Sequence, residues 1–366
     1  MKTIISRYAQ LPGNKPLVFR ALCSLLTENS AEIYWSEFGD QEWKLFAKMA
    51  TGENVAEMAY YILKTKPLLF HLADVDPNTF KTLQKVEAIT SLRNAVLFKE
   101  LDKILFTLHK NSIPVISLKG IDLARFVYPN PGLRSMGDID ILVRKTDFQF
   151  ALELVSGLGY HDYLLDSKNK LIRLLDHHAC LQKNIPTHPI LELHWILIAC
   201  PEYKYSVSMD WFWENSEYCN CFMEKNYGEK FQKSFHLNPT ANLLYLSAHQ
   251  MLQHGESSIN LRFLLDISLL LKNFEKEIEW NKLLKQSQVY DWSRALELTL
   301  NAVQECFQVE IPREILSTLN KISGKNDSII TLKQKTSSSI LVKKYKVLRS
   351  LNWKVLLRSF FAHYFP

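Results

Sequence analysis

Apolar residues in the first 75 positions recur three or four apart, over 17–26, 43–49 and 56–69, which predicts a helical opening region. Asp76-Pro77 breaks that pattern, and Asn78 or Thr79 can cap a long helix running to about His109, with Asn111 near its end. The period then changes. Residues 114–118 form a short apolar and β-branched run, Lys119-Gly120 follows, and 121–128 return to helical spacing: strand, glycine turn, helix. After the turn-rich segment 129–132, residues 138–143 (Asp-Ile-Asp-Ile-Leu-Val) alternate as a strand does. Thr146-Asp-Phe-Gln149 has the form of a capping box for a helix ending at Gly157–Gly159. Residues 178–182 and 190–195 read as two strands joined by the turn 185–189. Helices resume at Asn238-Pro239, with Asn238 as N-cap and proline in the first turn, and continue to 320. The pattern predicts an α+β fold, a segment of alternating strands and helices set between helical regions. Its divisions are 1–111 (helical), 112–225 (core), 226–320 (helical) and 321–366 (a basic aromatic tail).

The strand at 138–143 carries the first chemistry. Asp138, Asp140 and Leu142 share one face, and Ile139, Ile141 and Val143 the other, so two carboxylates stand about 7 Å apart along one face. Like charges on one face repel, and a hard cation such as Mg²⁺ turns that liability into a binding site. A solvated edge strand, or an Asp capping the turn at Gly137, are the plainer readings. Upstream, the turn at Gly120 can present backbone N–H groups and a helix N-terminus to an anion such as a phosphate.

Ser117-Leu-Lys-Gly120, Tyr128-Pro129, Gly132-Leu-Arg134 and Gly137-Asp-Ile-Asp-Ile-Leu-Val143 together resemble the bacterial nucleotidyltransferase family five of the polymerase-β superfamily. The resemblance extends from about Leu92 to about Leu271, and more loosely to the aromatic terminus. It implies a polymerase-β-like core (a small mixed sheet with flanking helices), a turn before a helix, an acidic pair binding Mg²⁺ on the next strand, and a third carboxylate on a neighbouring strand. One departure is Ile121, where the superfamily usually places Gly or Ser. For the third carboxylate, Ile190, Glu192 and His194 share one face of their strand, opposite Leu191, Leu193 and Trp195. An acid there costs several kcal/mol if buried unpaired, so Glu192 reads either as a metal ligand or as half of a cross-strand salt bridge. His194 reads as an orienter of a ligand or as a core residue.

What the resemblance implies is in-line displacement at phosphorus: Mg²⁺ held by Asp138, Asp140 and Glu192, and an NTP giving a nucleoside monophosphate to an unidentified acceptor with release of pyrophosphate. Gly120 lets the backbone approach the phosphates, and Lys119 or Arg134 supplies positive charge. Lys119 reads equally as a solvated strand-end lysine, and Arg134, four residues before Asp138, can instead pair with it and hold the loop.

Composition limits the alternatives. An apolar share of 47% with 22% charged residues in 366 suits a globular protein of more than one packed unit. The best candidate for a membrane span, 261–271, is interrupted by Arg262 and Asp266, and the opening Met1–Arg7 charges too quickly for a secretory signal. Six scattered cysteines without zinc spacing point to reduced thiols and a cytoplasmic protein. The net charge of +6 is uneven: from Lys321 onward ten Lys/Arg face one acid, Asp327. Such a tail can contact RNA, an anionic membrane face or the protein's own acidic cleft, or dock on the domain through Trp353, Phe360, Phe361 and Tyr364.

Other histidines have plain readings. His249 and His254 are five apart, about 140° on an α-helix, a poor metal pair. Arg262 and Asp266 have the spacing of an intrahelical salt bridge, or line the acceptor side of a cleft as the resemblance suggests. His177-His178 and His188 read as hairpin surface. Two functions survive: an Mg²⁺-dependent nucleotidyltransferase, or a non-catalytic nucleotide- or RNA-binding scaffold on the same fold. Clustered acids favour the enzyme, because a scaffold gains nothing from them.

Overall fold

The computed structural model describes residue 8 and residues 10–28, 35–66, 75–162, 177–184, 189–198, 207–219 and 234–323. The turn at 185–188 with His188, the residues Cys200 and Cys221, and the tail from 324 onward lie outside the described residues. Among the described residues three short helices, α1 (Lys15–Thr27), α2 (Asp40–Gly52) and α3 (Ala56–Thr65), precede the long α4 (Pro77–Lys110). The N-cap of α4 is Asp76, not Asn78 or Thr79. Its carboxylate accepts from the Thr79 backbone N–H while Pro77, which has no N–H to satisfy, fills the first turn. Asn111 closes the helix.

β1 (Val115–Leu118) runs directly into α5 (Lys119–Phe126), so the expected glycine turn is compressed into the first residues of the helix. There follow β2 (Asp138–Leu142), α6 (Phe148–Gly157), β3 (His161–Asp162), β4 (His178–Gln182), β5 (Ile190–His194), α7 (Asp210–Glu214), β6 (Ser216–Cys219) and β7 (Ser234–Leu237). The capping box at Thr146 does not form. Asp147 is already in a turn closed by its N–H to Arg144 O, and the Thr146 hydroxyl donates to the Asp147 carboxylate at 3.3 Å instead. Asn238 does cap α8 (Pro239–Ala248), accepting from the Ala241 N–H. A π-helical turn (His249–His254) and α9 (Leu261–Phe274), α10 (Trp280–Val289), α11 (Ser293–Phe307) and α12 (Arg313–Ser323) complete the described chain.

Among the described residues the sheet has seven strands in the order β3-β4-β5-β2-β1-β7-β6. β2 lies parallel to β5 and antiparallel to β1, and β1 lies parallel to β7, so the sheet is mixed. β6 and β7 lie outside the sequence expectation, and β7 carries the sheet past position 225. Each has four residues, and Ser-Glu-Tyr-Cys of β6 has no apolar alternation to read.

Two cores cover the two faces. On one, Ile139, Ile141 and Val143 pack with Leu191, Leu193, Ala179 and Leu181 against Leu97, Leu101, Ile104 and Leu108 of α4 and Ala151 and Val155 of α6. On the other, Ile116, Leu118 and Leu142 join the larger core built with α1–α3 and α8–α12. Each fully buried Ile or Leu stabilises by about 1.5–3 kcal/mol relative to exposure. A one-residue slip of β2 would exchange its apolar and acidic faces, so this burial fixes the register and with it the positions of the carboxylates. Among the described residues no helix is long and apolar enough to cross a membrane, and the cysteines form no disulfide.

Candidate active site

In register across the parallel β2–β5 pair, Asp140 stands beside Glu192 and Leu142 beside His194; across β4–β5, Glu192 stands beside Cys180 and His194 beside His178. The polar face therefore brings Asp140 beside Glu192, 52 residues away in sequence, with imidazoles from β4 and β5 next to them. One oxygen of Asp140, one of Glu192 and a nitrogen of His194 all lie within 4.8 Å of one another. His194 Nε2 is 3.0 Å from Asp140 Oδ1 and 3.3 Å from Glu192 Oε2. Asp138 stands two residues earlier on the same strand, half-buried, beside Ile190.

The cationic partner is Lys119. Its ammonium lies 2.6 Å from Asp140 Oδ1 and 3.3 Å from Glu192 Oε2, with 16% of the side chain exposed. Lys119 is not a solvated strand-end residue. It sits at φ 49°, a left-handed conformation that costs a non-glycine residue of order 1 kcal/mol or more. That bend turns the chain from β1 into α5 with the ammonium on the carboxylates.

Electrostatics follow from burial and like charge. Burial, then Asp140 and Glu192, push the Asp138 carboxyl up to about 6. Burial acts on Glu192 in the same direction, but the hydrogen bond from His194 and the Lys119 charge outweigh it and hold Glu192 well below the usual carboxylate range. For Lys119, burial favours the neutral amine, yet Asp140, Tyr245 and Glu192 outweigh it and the ammonium is held well above its ordinary value. Three carboxylates face one ammonium, so the cluster keeps an excess of negative charge.

Arg134 is placed elsewhere than beside Asp138. Its Nε and Nη2 donate to the two oxygens of Asp266 on α9, both at 2.8 Å, and the Tyr128 hydroxyl donates to Oδ1 at 2.8 Å. Asp266 is thus taken by Arg134, and Arg262 donates instead to the Ser135 carbonyl at 3.0 Å, so the expected Arg262–Asp266 intrahelical bridge gives way to contacts between α9 and the 128–135 turn. Asn94 of α4 donates to the carbonyls of Pro131 and Arg134 and pins the same turn. Gly120 belongs to this network: a Cβ there would stand 2.5 Å from Arg134 Nη1 and 3.2 Å from Met136 Cγ. The glycine leaves room for the guanidinium to pass.

Two histidine expectations are corrected. His177 is buried and His178 half-buried, with the His178 ring 4.8 Å from that of His194; they belong to the polar face, not to a hairpin surface. The β4–β5 register does this, since His178 pairs with His194. His249 and His254 have rings 4.8 Å apart, because the turn containing them is π-helical and brings residues five apart together. Burial, followed by Lys119 and His254, holds His249 well below its ordinary value. Burial and the neighbouring imidazoles of His178 and His194 do the same for His177.

The donor chemistry suits a divalent cation: paired carboxylate oxygens, a third carboxylate close by, and excess negative charge. Lys119 supplies the countercharge to Asp140 and Glu192. A family model described as an uncharacterised nucleotidyltransferase matches residues 39–308, a span wider at both ends than the motif run and its surroundings suggest. No curated protein and no solved structure matches the chain.

Proposed function

The chain belongs to this uncharacterised nucleotidyltransferase family, and on that premise we propose that it transfers a nucleoside monophosphate from an NTP to a hydroxyl or phosphate acceptor, releasing pyrophosphate, with Mg²⁺ held by Asp138, Asp140 and Glu192 on a polymerase-β-like core. The observation that carries the reading is the Asp140–Glu192 pairing across parallel strands, with Asp138 on the same face. When bound, the metal would neutralise the triphosphate and lower the pKa of the acceptor group.

The remaining work falls to side chains. Lys119 holds the carboxylates together before loading, and its flexible stem lets the ammonium move from them to the triphosphate. His194, donating from Nε2, fixes the rotamer of Asp140 and of Glu192. Asp138, the most weakly held of the three acids, is the one whose carboxylate gains most from a cation. Arg134 and Gly120 act as positioning residues: the Arg134–Asp266 fork sets the turn that delivers β2, and Gly120 makes room for it.

A second reading is a metal-free scaffold that binds nucleotide or RNA. The observation favouring it is Lys119 itself, which already balances part of the acidic charge. Incubation of the full chain with each α-labelled NTP, Mg²⁺ and fractionated acceptors (small molecules, protein, RNA) separates the two. The transferase reading expects pyrophosphate and a labelled acceptor that Asp140→Asn abolishes; nucleotide retention without any transfer supports the scaffold. The RNA arm also tests the basic tail, because retention driven by its charge falls steeply with salt.

A further inference from the structure

We propose a second metal site beside the carboxylates: His177, His178 and His194 form a three-imidazole pocket for a borderline transition-metal ion of the Zn²⁺ type. One nitrogen from each ring lies within 4.8 Å of the other two. His178 Nδ1 is 3.0 Å from His177 Nε2 and 3.2 Å from His177 Nδ1, a hydrogen-bond distance that is also about the separation of two nitrogen ligands on one metal ion.

His194 adds an independent observation. It is fully buried, its Nε2 faces Asp140, and its Nδ1 has no hydrogen-bond partner. A buried imidazole nitrogen left unpaired is destabilising, and a bound ion, reached by a small rotation of the ring, removes that cost. Around His177, the Gln253 amide lies 3.3 Å from Nε2; with its oxygen turned to accept from Nε2–H it fixes the ring and leaves Nδ1, 3.2 Å from His178 Nδ1, for the ion.

The neighbourhood favours a cation. Glu192 Oε1 is 3.7 Å from His178 Nε2, on the side of that ring away from His177, and three carboxylates outnumber the Lys119 ammonium. Donor type separates the two sites. Nitrogen ligands select Zn²⁺ and its first-row neighbours, while the carboxylates select Mg²⁺. His194 touches both, through the pocket and through Asp140, so occupancy of one site is felt at the other. Three histidines with one open position is also the ligand count of sites that bind an exchangeable fourth group.

Chelator-treated full-length protein titrated with Co²⁺ in millimolar Mg²⁺, followed by visible absorption and then by Zn²⁺ displacement, tests the site without reference to transfer activity. The expected result is one equivalent with the intense bands of a low-coordinate nitrogen environment, displaced by Zn²⁺. His177→Asn combined with His178→Asn should weaken binding by more than about 100-fold, the upper end of what loss of a mere supporting partner costs. Asp138→Asn should abolish transfer while leaving the Co²⁺ spectrum in place, so failure of the two proposals can be told apart. Weak octahedral-type absorption in the wild-type protein overturns the site, whatever the folding of the variants. So does a Co²⁺ spectrum that the histidine double variant retains.

Discussion

Two clusters of charged side chains flank the segment 128–140, and they are built differently. Arg134 and Asp266 form a matched fork, both nearly buried, with both carboxylate oxygens filled and Tyr128 added. Lys119, Asp138, Asp140 and Glu192 are mismatched: three acids, one base and a histidine, with Glu192 still 21% exposed. A matched buried pair holds backbone in place, and removing one partner strands the other. An unmatched acidic cluster destabilises the free protein and gains from a cation that arrives with its substrate. The first cluster is architecture and the second is the candidate chemistry.

Substitutions in the two clusters should register in different measurements. The largest expected effect is on chemistry: Asp140→Asn should lower nucleotidyl transfer by at least about 10⁴-fold, roughly 5.5 kcal/mol, with little loss in urea stability. Comparable losses in both measurements would put Asp140 with the architectural cluster. Next, Asp266→Ala leaves the Arg134 guanidinium buried without its partner and should cost about 3–5 kcal/mol by urea denaturation. An effect under 1 kcal/mol would show the fork to be dispensable.

Lys119→Met is expected to be smaller and to change sign with conditions. Without Mg²⁺ it leaves Asp140 and Glu192 facing each other and should destabilise by about 1–3 kcal/mol. With Mg²⁺ the thermal midpoint should rise more than in wild type, because the ion no longer competes with the ammonium. A variant insensitive to Mg²⁺ would count against metal at these carboxylates.

The smallest effect belongs to Asp122 of α5, a buried acid outside both clusters that accepts from Asn242 at 3.2 Å. Burial raises its carboxyl well above the ordinary value, against the hydrogen bond from Asn242 and the nearby arginines. Since the folded protein holds this proton more tightly than the unfolded chain, wild-type stability from this group falls as pH rises above about 4. Asp122→Asn, which needs no proton, should match wild type near pH 4 and gain on it toward neutrality in a urea series. A constant difference across that range would mean that Asp122 is ionised in the fold.

How legible this was in the sequence depends on distance along the chain. The alternation Asp138-Ile139-Asp140-Ile141 announces a strand with one acidic face, and Glu192 among leucines announces another, because each pattern is local and has period two. The family, too, was legible from the run between Ser117 and Val143. Asp266 as the partner of Arg134 was not, since 132 residues separate them and a nearer arginine at i−4 offers a plausible local pair. The separation of His249 and His254 is not legible either, since α-helical pitch sets them about 140° apart and the π-turn brings their rings together. His177 and His178 looked like surface because nothing local reveals that β4 sets His178 beside His194. Strands β6 and β7 are too short to show a period at all.

The central claim is that the Asp138–Asp140–Glu192 face binds a divalent cation together with a nucleoside triphosphate. Electron paramagnetic resonance of Mn²⁺, titrated into wild type, Asp140→Asn and Glu192→Gln with a non-hydrolysable NTP, measures that directly. Wild type should take up Mn²⁺ tightly only when the nucleotide is present, and each variant should lose about 10-fold or more in affinity. Equal uptake by all three proteins, or none by wild type with any of the four nucleotides, would contradict the account.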